Sequence, residues 1–134
     1  MKPIIVSLPL AAVAVSAGAF LKKDGAGAVT TNDTAGSEIG IAASKADNSA
    51  SPDYKFKNAN IGCIKQGIVV VTAVAATYNA GDIVEVATGG QTVQAHGSGS
   101  VIGSVVETKT LAAPGDLNVY VNIALAGYFF IFFI

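Results

Sequence analysis

Ala80-Gly81-Asp82-Ile83-Val84-Glu85-Val86-Ala87-Thr88-Gly89-Gly90-Gln91-Thr92-Val93-Gln94-Ala95 is the stretch from which the rest of the chain is read. Two short runs rich in apolar residues, 83–87 and 92–95, flank a Thr-Gly-Gly turn, which is the spacing of a β-hairpin and leaves no room for a helix. Val101-Ile102-Gly103-Ser104-Val105 follows as a further strand after a second Gly-rich turn at Gly97-Ser98-Gly99.

Sliding the chain against itself by 63 residues lays this stretch over an earlier one. Ala17-Gly18 falls on Ala80-Gly81, Gly27 on Gly90, Gly36-Ser37 on Gly99-Ser100, and Ile39-Gly40 on Ile102-Gly103. Those are seven identities in 24 columns, where this composition yields roughly two by chance. The same offset sets Phe20-Leu21 over Ile83-Val84, Ile5-Val6 over Ile68-Val69 and Asp53 over Asp116. The expectation is two similar short-stranded β units, about 4–64 and 67–126, within a single β domain spanning 1–134. The segment from Gly127 looks like a third start.

Composition agrees. Val, Ile, Thr, Phe and Tyr account for 47 of 134 residues, while Leu, Glu, Gln and Met are sparse and Arg is absent. The chain is expected to be all-β, a small barrel or sandwich, with strands at 4–8, 19–23, 28–31, 38–43, 54–57, 67–73, 83–87, 92–95, 101–107, 117–123 and 128–134. Ile68-Val69-Val70-Val71 is apolar at every position and calls for cover on both faces. The polar stretch from Ser44 to Pro52 reads as an exposed loop.

The N-terminus resembles an export signal: one positive charge, an apolar run to Val15, and small residues at Val15-Ser16-Ala17. Against that, the run contains Pro3 and Pro9 and overlays on 67–79, so it is read as structural. No stretch reaches the 18 or so apolar residues of a membrane span.

Several chemistries find no support. Without Arg there is no bidentate clamp for phosphate, and eight scattered Lys against nine acids make no nucleic-acid footprint. One Cys (Cys63) with one His (His96) cannot build a Cys/His zinc site. Cys63 reads as a small buried hydrophobe. His96 sits in a Gly/Ser turn, where a solvated imidazole is the plain expectation. The Asp residues lie mostly beside Gly, Asn, Ser or Pro, as turn residues do. The stretch from Asp47 to Asp53 lacks the order and terminal Glu of a calcium loop. No catalytic, cofactor-binding or metal-ligating residue is assigned, and no cofactor is expected.

The C-terminus differs in kind. Tyr128-Phe129-Phe130-Ile131-Phe132-Phe133-Ile134 puts seven large apolar side chains in a row at the chain end. Covering such a strand is worth on the order of 10 kcal/mol, and leaving it open creates an aggregating edge. With charged residues at 13% against 51% hydrophobic, little charge remains to keep a lone molecule soluble. The expected intersubunit contacts are Ile4, Ile5 and Leu8 at one end, and Tyr128, Phe129, Phe130, Phe132 and Phe133 at the other.

Ala80-Gly81-Asp82-Ile83-Val84, the Gly89-Gly90 turn, Val101-Ile102-Gly103-Ser104-Val105 and Gly115-Asp116-Leu117-Asn118-Val119-Tyr120-Val121 together resemble a family of capsid decoration, or cement, proteins of tailed bacteriophages and related viruses. The resemblance implies a non-enzymatic virion protein on the outer capsid surface that bridges major capsid protein subunits, often as a homotrimer, with no nucleic-acid or membrane partner. The Phe/Ile-rich terminus and the insertion from Ser44 to Pro52 depart from that pattern. Two other readings stay open: a secreted or cell-surface structural subunit, pilus-like or surface-layer-like, with residues before Gly18 removed, and a small ligand-binding or hydrolytic barrel using His96.

Overall fold

A computed structural model describes residues 3–49 and 60–123. Among these every regular element is a strand: β1 (Ile4–Pro9), β2 (Ala14–Val15), β3 (Phe20–Lys23), β4 (Val29–Thr31), β5 (Gly40–Ala42), β6 (Ala46–Asp47), β7 (Asn60–Ala73), β8 (Ala76–Tyr78), β9 (Ile83–Val86), β10 (Val93–Ala95), β11 (Val101–Val105), β12 (Lys109–Leu111) and β13 (Gly115–Asn122). The protein is all-β, as the turn punctuation implies, and it is a barrel rather than a sandwich.

β7 organises the molecule. At 14 residues it exceeds the usual strand length of 3–10, and its two halves serve two rings. The first half pairs with β1 on one side, Leu8 opposite Ile61, and with β5 on the other, Ile41 opposite Ile64. β5 pairs with β3 and β3 with β4. A parallel bridge from Leu10 to Val29 brings the end of β4 back to the end of β1. The second half of β7 pairs with β13, β13 with β11, β11 with β9, and β9 with β10. The parallel bridge of Val93 with Ala73 closes this second ring. Closure leaves few open ladder edges, the feature by which small β proteins avoid edge-to-edge aggregation.

Each ring encloses apolar side chains. Leu10, Val15, Leu21, Val29, Ala42, Ile61 and Cys63 fill the first. The larger core gathers Val71, Ala73, Tyr78, Val84, Val86, Val93, Ile102, Val105, Leu117, Val119 and Val121 of the second ring, and it also takes in Phe20 and Ile41 from the first. Those two residues point away from their own ring's interior, so the rings are packed against each other through them.

Where the structure differs from the sequence reading, the cause is tertiary. The expected strand 67–73 begins at Asn60, because Cys63 and Lys65 are carried inward and let the ladder run on. The two-residue pair β2 and β6 and the short pair β8 and β12 carry too few residues to show a period. Part of the expected loop from Ser44 is held: β6 lies in it, and buried Asn48 donates through Nδ2 to the Leu10 carbonyl at 3.0 Å. The expected strands 54–57 and 128–134 fall outside the described residues.

Candidate docking surface

The outward faces of β1 and β7 carry the features a docking surface needs. Side chains alternate along a strand, and on β7 the inward set includes Ile61, Cys63, Lys65, Val71 and Ala73. Ile68 and Val70 therefore face out, 62% and 52% exposed, and on β1 Ile4 and Ile5 are 46% and 49% exposed. Of the fully apolar run at 68–71, only Val71 is fully buried, with Val69 partly buried against the larger core. Cover on both faces, expected from the sequence, is not found among the described residues.

A register shift between Ile4 and Ile5 breaks the alternation of β1 there and leaves both exposed, while Leu8 is half-buried against the first core and lines a small cavity of about 380 Å³ with Lys23, Val29 and Ile39. Tyr128, Phe129, Phe130, Phe132 and Phe133 lie outside the described residues. The sequence reading missed Ile68, Val70, Ile83, Val101 and Val106 as exposed apolar positions. An unbroken apolar run such as 68–71 does not say which phase of the strand faces the interior.

Direct cross-strand partners lie on one face of a sheet, so the pairings Ile83–Ser104, Ser104–Tyr120 and Tyr120–Ile68 define an outward row across four strands of the second ring. The Tyr120 hydroxyl in this row accepts from Gln66 Nε2 at 2.6 Å.

Several charges are tied into local structure. Glu85 Oε1 accepts from the Gly97 amide at 2.6 Å and the Gly99 amide at 3.0 Å, Gln94 Nε2 donates to Oε2 at 3.0 Å, and His96 Nδ1 stands 3.1 Å from Oε1. The Gly97 and Gln94 donors, with Gly99 and His96 adding, hold the Glu85 carboxyl below its ordinary range. His96 is therefore an exposed turn residue engaged with a carboxylate. Lys22 Nζ meets Asp33 Oδ1 at 2.6 Å, which lowers the Asp33 pKa. Lys65 is buried, its ammonium pushed down by desolvation and donating to the Ile39 carbonyl. Burial raises the Cys63 thiol, the opposite of what a reactive thiolate needs.

A cleft of about 830 Å³ runs along the seam of the two rings, its lining mostly apolar and including Ile41, Ile64, Val70 and Gln91, with Asp116 as its single carboxylate. It pairs no acid with a base. Among the described residues no group of three or more His, Cys, Asp or Glu side chains could hold a metal ion, and no helix is long and apolar enough to cross a membrane. Neither a protein-family model nor a curated protein matches this chain.

Proposed function

We propose that this chain is a non-enzymatic capsid decoration protein, bound to the outside of a viral shell, where it bridges major capsid protein subunits and stabilises the particle. The observation that carries the reading is the exposure of the large apolar side chains Ile4, Ile5, Ile68 and Val70 on a chain with 13% charged residues. A joint needs no reacting groups. It needs apolar and backbone surface presented on a framework that does not deform, and two packed rings sharing one strand supply that.

The test uses undecorated shells of the virus that carries the chain. Purified wild-type protein is expected to co-sediment with them, and the double variant Ile68→Asp, Val70→Asp to remain in the supernatant while keeping the wild-type circular dichroism spectrum. Full shell binding by the double variant, or none by the wild type, would overturn the assignment. Intact mass of the particle-derived chain separates the export alternative, because a cut near Ala17 would remove β1 and β2.

A further inference from the structure

Of the seven large apolar side chains exposed among the described residues, five share one sheet face of the second ring: Ile68, Val70, Ile83, Val101 and Val106. Ile83 and Ile68 end the outward row that runs through Ser104 and Tyr120. Val70 lies opposite Asn118, and Val106, whose N–H bonds the Asn118 carbonyl at 3.0 Å, flanks that residue on its other side. Val101 lies opposite Glu85, two residues along β9 from Ile83 and so on the same face. Ile4, opposite Gln66 as Asn122 is, extends the face at its corner. Four strands about 4.8 Å apart and about five residues long cover roughly 300 Å² in projection, the scale at which exposed apolar surface marks an interaction site. The overlay by 63 residues sets Phe20 in the place of Ile83. Phe20 is covered by the second ring at 0% exposure, whereas Ile83 is 48% exposed.

Drying this face leaves few polar groups stranded. The Tyr120 hydroxyl accepts from Gln66 Nε2 at 2.6 Å, and Asn118 Nδ2 donates to Glu107 Oε1 at 2.9 Å, so the two central polar side chains bring partners with them. Charge gathers at one end, where β11 finishes and β13 begins. Asp82 stands there, its carbonyl bonded by Val105 N–H at 2.8 Å, with Glu107 beyond Val106 and Asp116 opposite Thr72. Lys109 is beside them, its Nζ on the Asp116 carbonyl at 2.8 Å. The imbalance extends to the whole unit: residues 67–134 hold one Lys against four carboxylates, net −3, while residues 1–66 hold seven Lys against five, net +2. Two copies meeting through this face would set like charge against like. Complementarity therefore favours a basic partner over a second copy.

We propose that this face of the second ring docks on an apolar patch of the major capsid protein that carries Lys or Arg along one border, the border that meets Asp82, Glu107 and Asp116. The inference rests on the shell-binding reading and adds to it which face docks, what chemistry it meets and which way round it sits. The apolar centre supplies the contact, and the acidic end fixes the rotation of the molecule on the shell, because turning it by half would leave the partner's cations over Ile4 and Val101 with no carboxylate to meet.

Co-sedimentation of the full chain with undecorated shells tests it, using positions on other strands than Ile68 and Val70. Ile83→Asp and Val106→Asp are each expected to bind at least tenfold more weakly while keeping the wild-type unfolding midpoint, and Ile83→Ser replaces the first should it unfold. Wild-type binding is expected to weaken at least threefold between 50 and 500 mM NaCl, and the double variant Glu107→Gln, Asp116→Asn to lose that dependence. A photo-crosslinking residue at position 83 is expected, in the presence of shells, to join the major capsid protein within a peptide that contains Lys or Arg. Full binding by the folded Ile83 and Val106 variants, beside a wild type that binds, leaves the shell reading standing and overturns this one. Salt-independent wild-type binding overturns it too, as do crosslinks to a second copy or to residues 124–134 of the same chain. A wild type that does not bind shells overturns both.

Discussion

Gln91 is the side chain whose loss should be felt most between the two rings. It makes three hydrogen bonds to the first ring, one to Phe20 N–H and two to the carbonyls of Phe20 and Asn32. At about 1 kcal/mol net for each, Gln91→Ala removes about 3 kcal/mol. Gln91 lines the open cleft, so water can re-satisfy part of what is exposed and bring the loss towards about 2 kcal/mol. Gln91→Glu is the sharper test because it preserves size. The carboxylate can still accept from Phe20 N–H, but its other oxygen faces two carbonyl oxygens with no hydrogen to share. It is expected to cost at least as much as Ala near neutral pH and to recover in part when acid protonates the new carboxyl. A loss of 2–3 kcal/mol in a domain of this size lowers the melting temperature by about 10 °C. Urea and thermal unfolding followed by circular dichroism, with tyrosine emission as second probe since the chain has no Trp, read the effect. A Gln91→Glu protein that melts within about 2 °C of wild type would refute the claim that this amide clamps the rings.

Two further outcomes concern close packing and pH. A Cβ at Gly103 would run into the Tyr120 carbonyl oxygen and stand 2.9 Å from Val121 Cα, so Gly103→Ala should cost on the order of 3 kcal/mol or prevent folding, in urea titration. At Gly40 the first atom met is Cys63 Sγ, so Cys63→Ala should partly rescue Gly40→Ala, whereas no side-chain trimming rescues Gly103→Ala. The Glu85 carboxyl is held below its ordinary range in the folded state. Its contribution is therefore present above the unfolded-state pKa of about 4.3 and fades as pH falls through the lower folded value. Amide exchange at Gly97 and Gly99 should accelerate over that acid window in the wild type and be fast at all pH values in Glu85→Ala; slow exchange in that variant would count against the carboxylate as the loop's anchor.

The apolar runs, the Gly turns and the scarcity of helix formers settled locally that the chain would build short strands rather than helices. The β9–β10 hairpin around Thr88-Gly89-Gly90 is legible because a turn with positive φ at Gly89 and Gly90 leaves its flanking strands little choice but to pair. Tertiary structure alone decided the rest. Ile68 and Val70 are open while Val71 is buried because the phase of β7 is set by β13 and β1, whose pairing partners lie 42 to 62 residues away. Lys65 goes inward for the same reason, carried by the alternation of a strand it is too polar to have chosen. The contrast between covered Phe20 and open Ile83 has no local signal at all, since both open apolar strands after an Ala-Gly turn. What separates them is that one ring has a neighbour packed on that face within the chain and the other has none among the described residues.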